Sequence, residues 1–382
     1  MYSHTFTLKQ HTPHIHFQGE QKNATLRATE IKPRFDAFLH KYAGCSETHK
    51  IPKCSSNSYN YKLHIVCKKN KEEKKFGHYF GDNTMYKYDT ITVTFSSYVQ
   101  DLCEKIKTYF PIFCITTNFG ASANKGYGSF TVAKIDEQDY KCQKSIVEVL
   151  KTYTKAEIVL IKENQNQLNT IKYDYQLLKS GKNFKGYEKS TLFLYFIKKV
   201  NPSIRWEKRW IKHKIEEKRN KCPLWGSKNV RYQKTNLAPI NVIKENGTFK
   251  DKNHWDSPPE NFEYGFVRAL LGLADKHEYL KEFKSNGKIV PNKTEKITIS
   301  ISHDTIQRIS SPLYFKVIES YIYLIGFPVN NSVLKEEFTF RIDNEPCNEM
   351  LKIPSEFSTK EFLEFAILTD AGDSKIKYKK IF

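Results

Sequence analysis

The chain has 382 residues, with 62 Lys and Arg against 42 Asp and Glu, for a formal charge of +20 and a pI near 9.3. Hydrophobic residues at 39% and aromatic residues at 14% supply a substantial core, which excludes wholesale disorder. The longest apolar run, LFLYFI at 192–197, falls well short of the roughly 20 residues that a bilayer-spanning helix requires.

In chain order, the opening MYSHTFTLKQ alternates Tyr2, His4, Phe6 and Leu8 with Ser3, Thr5, Thr7 and Lys9, the period of a strand. It has neither the basic stretch nor the apolar centre of a secretory signal, so a cytoplasmic location is expected. After a loop containing QGEQKNAT, the segment LRATEIKPRFDAFLHKYAG predicts a helix. Thr29 can cap it, Pro33 lies in its first turn, and Phe35, Phe38, Leu39 and Tyr42 share one face before Gly44. Strands are predicted at 61–67, 88–96 and 112–117 (IFCITT), then through FTVAKI after the glycines of NKGYGSF. A helix over 139–154 and a strand at 156–161 complete an α+β pattern compatible with a ferredoxin-like sheet.

The middle third is very basic and reads as mostly helical up to Asn220, then irregular through HWDSPPENF. A further folded unit is expected from about Asn261. It opens with a helix in FEYGFVRALLGL and a strand at 295–302. Two strands follow in PLYFKVIESYIYLIGF, joined at Glu319 and Ser320, and then a capped helix at 358–368. The expected division is therefore 1–165, a basic helical insertion over 166–260, and 261–382.

Four motifs carry possible chemistry. In TLRATEIKPR, Arg27, Lys32 and Arg34 surround a helix N-terminus, where exposed N–H groups and the helix dipole favour an anion. A solvated helix start is the plain alternative. In NKGYGSF, Asn124, Lys125, Gly126, Tyr127, Gly128 and Ser129 form either an ordinary turn or a phosphate-gripping loop. Glycine admits close approach, successive N–H groups can form an anion nest, Lys125 adds charge and Tyr127 can stack on a base. In IRWEKRWIKHKIEEKR, Trp206 and Trp210 stand at i, i+4 with Lys208 and Arg209 between them. This is either a basic helix lying along RNA or a partner subunit, or an amphipathic helix with its indoles packed inward. In HTPHIH, His11, His14 and His16 lack a further ligand, so no metal is expected. No catalytic constellation and no cofactor fingerprint is found. Eight cysteines without a CxxC pair read as reduced thiols.

The positive surplus on a Tyr- and Phe-rich chain suits a polyanion, through counterion release and stacking, with a general lysine bias of the proteome as the alternative. Taken in order, HTPHIHFQGEQKNATLRATEIKPRF, NKGYGSF and IQRISSPLYFKVI (306–318) resemble the opening, the glycine-rich loop and the late RxxSPL stretch of the RAMP superfamily of CRISPR effectors. The last is most similar to the RAMP subunit that opens the Cmr (type III-B) gene series. This sequence departs from the family pattern in having Ala28-Thr29 for paired serines, Pro33 for a glycine, and Asn124-Lys125 for paired arginines.

The resemblance implies two ferredoxin-like (RRM-like) RAMP domains and a non-catalytic subunit of an antiviral ribonucleoprotein. Such a subunit grips the 3′ part of a guide CRISPR RNA and the facing target RNA beside other RAMP subunits, with no membrane involved. It places Arg27, Lys32 and Arg34 beside the 124–129 loop on one rim, and suggests a comparable surface from Arg308, Ser310 and Ser311. Two rivals remain open: a RAMP-type endoribonuclease that processes precursor guide RNA, and a basic scaffold that contacts protein neighbours.

Overall fold

The structure is a computed structural model. It describes all residues except 17–24, 52–57, 74–84, 184–186, 208–209, 212–213, 215–243, 246–247, 250–262, 274–275, 286–287, 343–344 and 369–375. The fold is mixed α+β with largely antiparallel sheets, divided into two compact units. The first comprises Met1–Lys172, Leu313–Phe327 and Tyr378–Phe382. The second comprises Tyr173–Pro312 and Pro328–Lys377. These are not the divisions expected at 165/166 and 260/261. The reason is strand pairing: Tyr321–Gly326, late in the chain, is antiparallel to Ile158–Glu163, with Leu324 opposite Leu160.

In the first unit the chain runs β1 (Tyr2–Gln10), β2 (His14–Ile15), α1 (Ala28–Tyr42), β3 (Lys62–Glu73), β4 (Met85–Ser97) and α2 (Gln100–Thr116). It continues through β5 (Phe130–Ile135), β6 (Gln138–Asp139), α3 (Ile146–Tyr153) and β7 (Ile158–Glu163). Four main strands lie in the order β3–β4–β1–β5, every neighbour antiparallel. The alternation read in the opening segment sets the faces: Phe6 and Leu8 are buried opposite Val93 and Ile91. Ile31, Phe35 and Leu39 of α1 and Ile106, Phe110 and Phe113 of α2 cover that face. Phe110 meets Phe6 at 4.9 Å and Phe35 at 5.3 Å, both edge to face. Each such side chain contributes about 1.5–3 kcal/mol by leaving water.

A second, four-stranded sheet joins Leu313–Ile318, Tyr321–Gly326, β7 and Lys379–Lys380 in that order. Ile318, Tyr323 and Ile325 from it belong to the same core. The hairpin joined at Glu319 and Ser320 is therefore as expected, with Glu319 at φ 54° in the turn.

Two expectations in this unit are corrected. IFCITT is the last part of α2 and not a strand. Leu102, Ile106, Phe110 and Phe113 recur at helical spacing on one buried face, and a short apolar run alone does not separate a strand from a buried helix. Pro111 sits inside α2, where it removes one rung of the hydrogen-bond ladder without ending the helix. The helix expected over 139–154 begins only at Ile146, because Ser145 caps it by accepting Glu148 N–H at 3.2 Å while Glu148 returns a bond to Ser145 N at 2.9 Å.

The second unit has a six-stranded sheet ordered Ile204–Trp206, Glu263–Gly265, Glu345–Lys352, Glu337–Ile342, Lys288–Ser302 and Lys276–Ser285. Its first two pairings are parallel and the rest antiparallel. FEYGFVRALLGL is a short strand followed by a 3-10 turn, Val267–Leu271, and not an α-helix. Phe266, Val267, Leu270 and Leu271 are all buried, so no polar face directs a helical period. The predicted C-terminal helix is present as Thr359–Leu368, with Ser358 Oγ accepting Glu361 N–H at 3.2 Å. Of the expected helical insertion, Gln167–Lys179 and Thr191–Tyr195 are helices. Ile204–Trp206 is a strand, and most of 215–260 lies outside the described residues.

Candidate nucleic-acid interface

The candidate site is built where β1 ends. Thr12 follows β1, and its hydroxyl donates to Gly126 O at 2.6 Å and accepts Ser129 N–H at 2.9 Å. Gly128 N–H donates to Pro13 O at 2.8 Å and His11 N–H to Ser129 O at 2.9 Å. The glycine loop is closed at its base by Phe119 N–H on Gly128 O, 2.9 Å. Asn118 then ties the loop to the late hairpin. Its side-chain amide donates to Ala123 O at 2.7 Å and to Phe315 O at 2.8 Å, and Phe315 N–H reaches Asn124 O at 3.0 Å.

The glycines answer to packing. Gly128 has φ +64°, and a Cβ there would lie 1.8 Å from Phe119 O. Gly126 has φ +84°, and a Cβ there would lie 2.7 Å from Ile171 Cδ1. Of the loop's N–H groups, Ala121 donates to Ile15 O at 2.7 Å, while Lys125 and Gly126 close turns within the loop on Ser122 O at 2.8 Å and Ala123 O at 3.2 Å. Ser129 is buried, and its hydroxyl donates to Val317 O. The N–H groups of Ala121, Lys125, Gly126, Gly128 and Ser129 are thus already engaged within the protein. Lys125 and Tyr127 are half-buried, and burial lowers the Lys125 pKa and raises that of Tyr127.

Helix α1 is fastened to the same loop. The Glu30 carboxylate accepts Gly120 N–H, and Arg34 Nη1 donates to Asn118 O at 2.9 Å. Burial pushes Glu30 up, but the bonds with His14 and Gly120 and the Arg34 charge hold it below its ordinary value. The Arg34 guanidinium lies 5.5 Å from the Phe119 ring centroid. Arg27 is the exposed N-cap residue, and its own side chain makes no capping hydrogen bond. Lys32 turns inward, bonded to Tyr59 O at 2.9 Å, 3.3 Å from Asp36 and 3.5 Å from the Tyr61 ring centroid. Burial lowers its pKa, partly offset by Asp36.

Three framing residues were missed by the motif reading: Glu30, Asn118 and Lys316. Lys316 is fully buried in the strand LYFKVI, where it donates to Cys114 O at 2.7 Å, Thr117 O at 2.9 Å and Phe130 O at 3.2 Å. Two of these carbonyls, those of Cys114 and Thr117, lie at the end of α2, where helical carbonyls lack a partner within the helix, and the third belongs to β5. A single lysine in an otherwise apolar strand was the available signal.

Arg308, Ser310 and Ser311 belong to the second unit, Arg308 and Ser310 exposed and Ser311 half-buried. Their segment is held by His303, whose Nδ1 accepts Thr305 and Ile306 N–H at 3.1 Å while Nε2 meets Glu336 at 2.9 Å. Trp206 and Trp210 are both buried. Trp206 packs edge-on against Phe193 at 4.8 Å and Trp210 against Phe340 at 5.3 Å. Lys208 and Arg209 lie outside the described residues. His11 Nε2 is 2.8 Å from Thr131 Oγ1, and burial together with the Lys316 charge lowers its pKa to about 4. His14 Nδ1 is 3.0 Å from Tyr88 OH. Among the described residues no cluster of three His, Cys, Asp or Glu stands ready for a metal ion, and no helix is long and apolar enough to cross a membrane.

The family model of the Cmr1 N-terminal domain matches residues 1–182, and that of the Cmr1 C-terminal domain matches residues 187–380. No curated protein matches the chain. Among solved structures, a chain of the cryo-EM structure of the Type III-B Cmr-beta bound to cognate target RNA is similar at 15% identity and TM-score 0.25. That match covers 35% of this chain and 59% of the other. The apo crystal structure of Cmr1 from Pyrococcus furiosus is similar at 9% identity and TM-score 0.36, over 100% of this chain and 98% of that one.

Proposed function

The chain belongs to the Cmr1 family, among the RAMP proteins of type III-B CRISPR effectors, and from that premise we propose that it is a non-catalytic RNA-binding subunit of a Cmr ribonucleoprotein. In this reading it grips the backbone of the 3′ part of the guide RNA and of the facing target RNA, in the cytoplasm and beside other RAMP subunits. Base pairing between guide and target carries the sequence information. The antiparallel order β3–β4–β1–β5 with α1 and α2 on one face supports a ferredoxin-like first unit.

The observation that carries the reading is the fastening of α1 to the glycine loop through Glu30–Gly120 and Arg34–Asn118. It joins the helix N-terminus bearing Arg27 to the loop bearing Lys125 and Tyr127, in a chain of charge +20. The test is single-stranded RNA binding by the purified chain over a range of salt. Arg27→Glu/Lys125→Glu should weaken binding and flatten its salt dependence. Unchanged affinity and slope would remove the site.

A further inference from the structure

The sheet face opposite Phe6, Val93 and Phe95 carries a different chemistry from the loop. On it Ser3, Thr5 and Thr7 of β1 stand opposite Ser96, Thr94 and Thr92 of β4. The hydroxyls of Thr5 and Thr94 are 3.1 Å apart. β3 adds Lys62, His64, Val66 and Lys68 beside Ser96, Thr94, Thr92 and Thr90. On the other side of β1, Lys134 faces Thr7, and Thr131 faces Lys9. The central threonines are half-exposed, and Lys9, Lys62, Lys68 and Lys134 are exposed.

Among these described positions His64 is the single aromatic ring and there is no acid. Asp89 stands at the bulge end of β4. Lys9 meets Glu319 at 2.7 Å and Lys134 meets Asp139 at 3.5 Å, both as exposed pairs that exchange readily with another anion. A face meant for a protein partner would be expected to carry apolar anchors, and here Val66 alone is apolar. Hydroxyls instead repeat about every 6.8 Å along each strand, and each can donate to a phosphate and accept from a ribose 2′-OH.

We propose that this face is a second, sequence-independent contact for single-stranded RNA, in which the lysines hold phosphates and the paired threonines read the ribose 2′-hydroxyl. The proposal rests on the RNA-binding reading above but uses none of its residues. With no Phe, Tyr or Trp on it and His64 its single ring, the face has no extended platform for base stacking, so the contact carries little base preference. The 2′-OH is the group that separates RNA from DNA.

The test compares the full chain with a Thr7→Val/Thr92→Val variant on single-stranded RNA and DNA of one sequence. Valine keeps the strand preference and removes only the hydroxyls. RNA binding should weaken roughly fivefold, the worth of one net hydrogen bond, with DNA binding unchanged. Lys62→Gln/Lys68→Gln should weaken both and lower the salt slope by about 1.4. If the valine pair leaves the RNA-to-DNA ratio where it was, the proposal is overturned. If Arg27→Glu/Lys125→Glu abolishes binding while both sheet variants bind like the parent, the loop reading stands and the sheet face falls. A parent chain that binds neither nucleic acid overturns both readings. Should the valine pair not fold, 2′-O-methyl RNA on the parent chain supplies the same readout: binding equal to that of RNA overturns the proposal, and weakened binding supports it.

Discussion

Arg34 Nη1 donates to Asn118 O at 2.9 Å, and this one bond connects the exposed side of α1 to the residue that organises the glycine loop. Asn118 bonds Ala123 and Phe315 through its side chain, so Arg34 acts on the loop and the late hairpin together. Arg34→Ala should lower stability by about 1 kcal/mol through the lost bond. It should weaken RNA binding further than Arg34→Lys, which keeps the charge. Thermal unfolding and RNA titration of both variants check this, and equal RNA affinities would remove the charge role and leave Arg34 a structural one.

Gly128→Ala should be far more damaging than Gly126→Ala. At Gly128 the new methyl meets the Phe119 carbonyl, a backbone atom, whereas at Gly126 it meets the movable end of Ile171. Both positions have positive φ, which alone costs about 1–2 kcal/mol. Soluble yield and denaturant midpoints should rank the two, and the reverse order would contradict the packing role of the loop.

Lys316 links stability to pH. Burial pushes its pKa from 10.5 down to about 7. Between those values the unfolded chain binds more protons, so this group makes stability rise with pH from about 7 to 10.5 and fall again as pH returns to 7. Lys316→Met should flatten that dependence in urea unfolding. It should also cost about 1–3 kcal/mol by leaving the Cys114, Thr117 and Phe130 carbonyls without their donor. A variant that keeps the parent slope would assign the dependence to another group.

Trp206→Ala should destabilise the second unit by about 3–5 kcal/mol, as expected for an indole removed from a core. A surface residue would lose less than about 0.5 kcal/mol. Chemical unfolding separates the two outcomes, and Trp206→Phe, which retains the edge contact with Phe193, should recover most of the loss.

Local pattern made much of the first unit legible. Phe6 and Leu8 alternate with Thr5 and Thr7, which fixes the inner face of β1, and Phe35, Phe38 and Leu39 mark the buried stripe of α1. IFCITT misled because its short run of four apolar residues, 112–115, satisfies a strand and a buried helix equally. The deciding residues, Leu102 and Ile106, lie ten and six positions earlier than Ile112. Arg27, Lys32, Arg34 and Lys125 were singled out alike by type and spacing, but Arg27 is exposed whereas Lys32 turns inward to Tyr59 and Asp36. Composition does not reveal which way a long side chain points.

By itself the sequence determined charge, strand and helix periods, the turn glycines and membership of a family, because all of these depend on residue type and near neighbours. The tertiary structure alone decided what those features serve. Gly128 looked like an opening for phosphate, and it is a crossing point beneath the Phe119 carbonyl. Trp206 and Trp210 looked able to face a partner, and they are interior. Lys316, distant in sequence by 202 positions, closes the end of α2. Such roles are set by groups that meet only after the chain has folded back across itself, and no local window contains both members of those pairs.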